Sequence, residues 1–226
     1  MGKALFITGT GTDIGKTYVT GLIVKKLHDA GLRAGYYKAA LSGAETLADG
    51  TLLPGDALHV AQIAGLAAED ASVSYIYRDA VSPHLAAQIE NRPMDFDKVE
   101  QDFKQAQERT DYLTVEGSGG IICPLRWDDV EHVVLDDLVL RLGLSALVVA
   151  DAGLGTINAA VLTAEHLRMR GISLKGFIFN NWQGGTMQED NVRMVEALTG
   201  APVLACVEHG AVELPMAADA LAALYD

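Results

Sequence analysis

The chain has 226 residues, 50% hydrophobic and 21% charged, which suits one α/β domain with a sizeable core and excludes a disordered chain. Its 30 acidic against 17 basic residues give a net charge of −13 with no Lys/Arg cluster, so nucleic acid is not an expected partner and any phosphate site must be built locally. Cys123 and Cys206 lack the spacing of a disulfide framework or a zinc site, and with no signal-peptide pattern and no apolar run near the ~20 residues a membrane span needs, a soluble cytoplasmic protein without a membrane partner is expected.

Short runs rich in β-branched and aromatic residues alternate with helical patterns. Strands are predicted at 4–8, 33–38, 112–116, 146–151, 174–180 and 202–207. Several are apolar on both faces (Leu5-Phe6-Ile7, Leu147-Val148-Val149), as buried parallel strands require. After Lys16, the residues Val19, Leu22, Ile23 and Leu27 fall on one helical stripe that Gly31 ends. Further helices are predicted at 95–110, 156–170 and 186–199. Helix-length crossovers between strands predict a doubly wound, mainly parallel sheet flanked by helices, with ligands at the C-terminal edge of the strands. No repeat or linker interrupts it, so residues 1–226 are expected to form a single domain.

The strongest signal follows the first strand: Gly9-Thr10-Gly11-Thr12-Asp13-Ile14-Gly15-Lys16-Thr17. A strand, a glycine-rich turn and a helix opening on Gly-Lys-Thr is the context of a P-loop, whose backbone N–H groups and helix N-terminus cradle phosphates. Lys16 is expected to reach the β- and γ-phosphates and the Thr17 hydroxyl to bind Mg²⁺. The spacing is one residue off the usual pattern, because Thr10 stands where the first glycine belongs.

Three carboxylates compete for a place near that metal. Glu116 ends a strand and is followed by Gly117-Ser118-Gly119-Gly120, where backbone amides approach an anion closely. Asp56, in Pro54-Gly55-Asp56-Ala57, begins a helix and reads equally as its N-cap. Asp151 ends Val148-Val149-Ala150-Asp151. Lys38 closes the second strand, on the edge the P-loop occupies, though a lone lysine is as often simply solvated. The six histidines show no metal-ligand spacing; His84, in Ser82-Pro83-His84, is the least easily dismissed.

Together, 8–17, Tyr37-Lys38 with Ser42-Gly43, Gly55-Asp56-Ala57, Ser82-Pro83-His84, 115–120 and Leu154-Gly155-Thr156-Ile157-Asn158 resemble the dethiobiotin synthetase family over nearly the whole chain. The longer loop before Gly-Lys-Thr is what that family's P-loop looks like. The resemblance implies an ATP- and Mg²⁺-dependent ligase of biotin biosynthesis, which closes a ureido ring on diaminopelargonic acid with CO2 through a carbamic–phosphoric anhydride. It implies Lys16, Lys38 and Thr12 in catalysis, and Mg²⁺ held by Thr17, Asp56 and Glu116. Nucleotide would be bound by Thr12, Asp13, Ile14, Gly15, Lys16 and Thr17, with Asn180 reading the base. Substrate would meet Lys38, Ser42, Gly117, Ser118 and Gly119, and Asn158 would reach its tail carboxylate across a homodimer interface.

The chain departs from the family where Ala39 replaces a common proline after Lys38, in Asn180-Asn181-Trp182, and in Cys206-Val207-Glu208 beside the expected base pocket. A partitioning-type P-loop ATPase switch is the alternative. Such proteins carry an extra lysine early in the P-loop, which Thr10-Gly11-Thr12-Asp13 lacks.

Overall fold

A computed structural model describes all 226 residues. Its centre is a seven-stranded, wholly parallel sheet in the order β3-β2-β4-β1-β7-β8-β9. These strands are β1 (Lys3–Gly9), β2 (Ala34–Leu41), β3 (Ala71–Ile76), β4 (Tyr112–Gly120), β7 (Ala146–Asp151), β8 (Leu174–Trp182) and β9 (Val203–Glu208). A two-stranded antiparallel ribbon, β5 (Pro124–Trp127) with β6 (His132–Val134), stands apart from the sheet. The helices are α1 (Lys16–Asp29), α2 (Gly55–Ala64), α3 (Pro83–Ile89), α4 (Phe96–Arg109), α5 (Leu135–Arg141), α6 (Thr156–Met169), α7 (Thr186–Thr199) and α8 (Ala218–Ala222).

Strand alternation divides the core into two layers. Leu5, Ile7, Leu147, Val149 and Ile178 point to the side covered by α1, α2 and α8, where Val19, Leu22, Ile23, Val60 and Leu221 meet them. Ala4, Phe6, Val148, Phe177 and Phe179 point to the other side, against α4, α5 and α6 through Phe96, Phe103, Leu138, Ala164 and Leu167. Each fully buried Leu, Ile or Phe contributes about 1.5–3 kcal/mol by leaving water, which is why strands covered on both faces read as unbroken apolar runs. The Asp95 carboxylate caps α4 by accepting the Asp97 N–H at 2.9 Å. Gly31, at φ 78°, turns the chain out of α1. No helix is long and apolar enough to cross a membrane.

Two differences from the sequence reading bear on the site. β4 does not stop at Glu116 but runs through Gly120, which pairs with Gly9 after an irregularity in the register between Ile7 and Gly9. The glycines keep the two strand ends in contact, so the segment is an extension of the sheet instead of a free loop. The edge strand β3 was not expected: Ala71-Ser72-Val73-Ser74 carries small and polar residues and is only half-buried.

Candidate active site

β1 ends at Gly9 and α1 starts at Lys16, so residues 10–15 form a compact loop over the edge of the sheet. Two positions are crowded enough to favour glycine. A Cβ at Gly9 would lie 2.6 Å from Ile14 Cδ1 and 2.9 Å from Lys16 Cδ. Gly15 caps the helix at φ 85°, where a Cβ would lie 2.1 Å from Asn180 Nδ2. Inside this turn Lys16 folds back, its Nζ donating to Gly11 O at 3.0 Å. Burial and then the neighbouring Lys38 pull the Lys16 pKa down, against the attraction of Glu116.

The loop borders a cleft of about 410 Å³ lined by Thr12, Asp13, Gly15, Lys16, Thr17, Lys38, Ser42, Asp56, Glu116, Ser118 and Gly119, among others. Its floor is an ionic knot. Lys38, with only 7% of its side chain exposed, donates to Asp56 Oδ2 at 2.6 Å and to Glu116 Oε1 at 2.8 Å. Glu116 Oε1 also accepts the Thr17 hydroxyl at 2.8 Å, which ties the P-loop helix to β4 and β2. Burial alone would lower the Lys38 pKa, but the Glu116 and Asp56 carboxylates outweigh it and hold the ammonium charged. Glu116 Oε2 is buried and has no hydrogen-bond partner.

Sequence neighbours alone could not decide between the two readings of Asp56. The N-cap of α2 is Pro54, without a side-chain cap bond, and Asp56 in the first turn turns its carboxylate to Lys38. Asp151 does not line this cleft. Its Oδ1 accepts the Gly153 N–H at 2.7 Å and its Oδ2 accepts Asn181 Nδ2 at 2.7 Å, away from the cleft.

The substrate-side residues divide. The Ser118 hydroxyl donates to Ala40 O at 2.8 Å, fixing β4 against β2 at the rim, and Gly119 comes near Thr12. Gly117 is a packing glycine: a Cβ there would meet Phe6 Cζ at 2.7 Å and Leu135 Cδ2 at 2.8 Å. Asn158 is exposed on α6 and does not line this cleft. Asn180 is buried under the P-loop, where Nδ2 donates to Ile14 O at 2.9 Å and Oδ1 remains without a partner.

Sequence reasoning missed His59 and Tyr18, both on the cleft wall. His59 follows Asp56 by one helical turn on α2, a spacing that would have pointed to it had Asp56 been assigned to the cleft. His84 instead pairs its Nδ1 with the Ser82 hydroxyl at 3.0 Å at the start of α3.

The model of a family described as an AAA domain matches residues 3–212. Among solved structures, the ParA family ATPase of Chlorobium tepidum superposes with a TM-score of 0.55 over 91% of this chain and 83% of that one, at 14% identity. The MinC:MinD cell division protein complex of Aquifex aeolicus gives 0.55 over 91% and 81%, also at 14% identity. At such identities these likenesses show the P-loop fold alone. The relatives in sequence go further. An ATP-dependent dethiobiotin synthetase of Brachyspira hyodysenteriae is 47% identical over 95% of this chain and 96% of its own length. One from Clostridium botulinum is 45% identical over 96% of each. Identity of that order from end to end, in a chain whose P-loop and Lys38 share one cleft, is a family relationship: the chain belongs to the ATP-dependent dethiobiotin synthetases.

Proposed function

We propose that this protein converts diaminopelargonic acid, CO2 and ATP into dethiobiotin, ADP and phosphate. The observation that carries the reading is the buried Lys38 ammonium on the cleft floor, within hydrogen-bond distance of Asp56 and Glu116 and beside the P-loop that holds Lys16.

In the reaction, one substrate amine adds to CO2 and loses a proton, giving a carbamate. A carbamate oxygen attacks the γ-phosphorus while the bond to the β–γ bridging oxygen breaks and ADP leaves. The second amine then attacks the carbonyl carbon of the mixed anhydride and loses a proton, and its C–O bond breaks to release phosphate. Two anions meet in the phosphoryl step, so positioning and cationic neutralisation dominate the barrier. Lys16 neutralises the β- and γ-phosphate oxygens under the P-loop amides of 12–17. Lys38 exchanges its two carboxylates for the carbamate and γ-phosphoryl oxygens and holds them together. Thr12 contacts the reacting groups, Ser42 lies by the amines, and Ser118 and Gly119 shape the wall.

Thr17, Asp56 and Glu116 form an all-oxygen donor set of the kind a hard divalent cation takes, and the unpartnered Glu116 Oε2 adds a free acceptor. These residues would hold Mg²⁺, which supplies charge neutralisation at the β- and γ-phosphate oxygens. Because Asn180 Nδ2 is committed to Ile14, its Oδ1 is the atom left for a base, and an acceptor suits the exocyclic amino group of adenine. A homodimer is supported by the apolar exposure around Asn158: Leu154 is 92% exposed, Leu162 60% and Met169 75%. Asn158 would bind the substrate's tail carboxylate across that interface. One catalytic domain spanning 1–226 and a cytoplasmic location complete the reading.

The test is phosphate release with ATP, Mg²⁺ and bicarbonate, with and without diaminopelargonic acid, the product being identified by mass spectrometry. Release that requires the diamine, with a product heavier by one carbonyl in place of two hydrogens, is the expected result. Release independent of the diamine would remove the synthetase reading in favour of a nucleotide switch.

A further inference from the structure

Tyr36 stands on β2 two residues before Lys38, so both side chains leave the same face of the sheet, and in register they neighbour Thr114 and Glu116. The residue is fully buried in the apolar layer beneath α1, yet its hydroxyl has no hydrogen-bond partner. A buried hydroxyl in that condition is uncommon in a folded protein. Its sequence neighbour Tyr37, on the opposite face, is fully engaged: the Oη pairs with Ser74 Oγ at 2.8 Å and donates to Val99 O at 2.9 Å.

Glu116 follows Thr114 by two residues on β4, so its carboxylate leaves the same face of the sheet as the Tyr36 ring. That carboxylate is lopsided. Oε1 takes two donors, Thr17 and Lys38, while Oε2 is buried with none. One atom is a donor without an acceptor and the other an acceptor without a donor. We infer that Tyr36 is a positioning residue for Glu116: its hydroxyl donates to Oε2 and fixes the carboxylate plane so that Oε1 stays turned toward Thr17 and the cleft. A phenylalanine would fill the same space, so the oxygen is the part that requires a use.

This inference rests on the reading of Glu116 as a metal ligand, and the experiment separates the two. Mn²⁺ is titrated by electron paramagnetic resonance against the protein with a non-hydrolysable ATP analogue, in wild type, Tyr36→Phe and Glu116→Gln. Tyr36→Phe is expected to weaken Mn²⁺ binding roughly tenfold, the lower end for loss of an outer partner of a metal ligand. Metal-free nucleotide affinity and the thermal midpoint should remain at wild-type values, and Glu116→Gln should weaken Mn²⁺ at least as far. Wild-type Mn²⁺ affinity in Tyr36→Phe beside a weakened Glu116→Gln would overturn the inference and leave the metal reading standing. Wild-type affinity in both variants would remove the metal reading and the inference with it. An equal loss of metal-free nucleotide binding in Tyr36→Phe would also overturn it, since that marks a general distortion of the cleft.

Discussion

Two buried carboxylates in this molecule are built alike and do different things. Glu116 and Asp136 each have a fully buried side chain, and each has one oxygen that takes two donors and one that takes none. Asp136 Oδ2 lies 2.6 Å from His166 Nε2 and accepts Arg170 Nη1 at 2.7 Å, while Arg170 Nη2 reaches Asp137 Oδ1 at 2.7 Å. His166 is on α6 and Arg170 caps its end, so this cluster ties α6 to α5. The partners of Glu116 sit on the P-loop helix and on β2 and face a cleft. A buried charge by itself reports only that desolvation has been offset locally. What separates the two sites is whether a cation can be traded. Lys38, a point charge on a flexible stem, can leave Glu116 for an incoming anion, whereas the planar Arg170 fork is locked between two aspartates.

That contrast is broken most directly at Lys38. Lys38→Ala is expected to lower turnover by about three orders of magnitude, the scale of losing a preorganised charge on the transferred group, while nucleotide affinity changes little. Single-turnover product formation set against a fluorescent-nucleotide titration checks both halves. A fall in affinity that matched the fall in turnover would make Lys38 a binding residue and erase the distinction. The converse change is Asp136→Asn, which leaves Arg170 and His166 facing a neutral amide. Because Arg170 keeps Asp137, the substitution should destabilise the fold by about 1–3 kcal/mol in urea unfolding, the range for losing hydrogen bonds to a buried charged group, with turnover at a permissive temperature near wild type.

The sequence carried much of this molecule and missed it in particular places. β1, β7 and β8 were legible because strands covered on both faces are apolar throughout, and the P-loop because its glycines answer to local backbone demands. The β5–β6 ribbon and β3 were not, since short or half-buried strands lack that signature. At the site, Lys16 and Thr17 are picked out by the strand, glycine-rich turn and helix start around Gly-Lys-Thr. Asp56 and Asp151 look equivalent in the sequence, each an acid at the edge of an element. Only tertiary contacts distinguish them, sending one to Lys38 and the other to Gly153 and Asn181. Tyr36 carries no signal in the sequence, because the strand that brings Glu116 to its face of the sheet lies about eighty residues away. The amide of Asn180 was read toward the base, but half of it is spent on Ile14.

Gly15 sharpens the same comparison, because its constraint is steric and leaves both charge clusters untouched. Gly15→Ala places a Cβ in the left-handed region, which costs about 1–2 kcal/mol, and drives it against Asn180 Nδ2. Nucleotide affinity should fall about tenfold by titration while the catalytic step with bound nucleotide remains near wild type. Asn180→Ala in that background should recover thermal stability by removing the clash, while nucleotide affinity stays low because the proposed base contact is gone too. No recovery would mean that the tether to Ile14 matters more than the space.

The smallest effect belongs to a partly buried ion pair at the tip of the ribbon. Asp128, at the turn of the β5–β6 ribbon, accepts Arg126 Nε at 2.7 Å and the N–H groups of Val130 and Glu131 at 2.9 and 2.8 Å. The Arg126 guanidinium first, and the Glu131 and Val130 amides after it, hold its pKa at about 2, below the ordinary 3.8. A carboxyl whose folded pKa is depressed contributes stability above its unfolded pKa and loses it as the pH falls through the folded one, so the window here runs from about pH 4 down to about pH 2. Asp128→Asn should therefore melt slightly below wild type at pH 7, and the gap should close across that window. Solvent screening keeps the difference small, and added salt should narrow it further. A gap that persisted at pH 2 would assign the effect to the turn's backbone bonds instead of the charge, and would set this pair apart from the buried clusters, where charge is what matters.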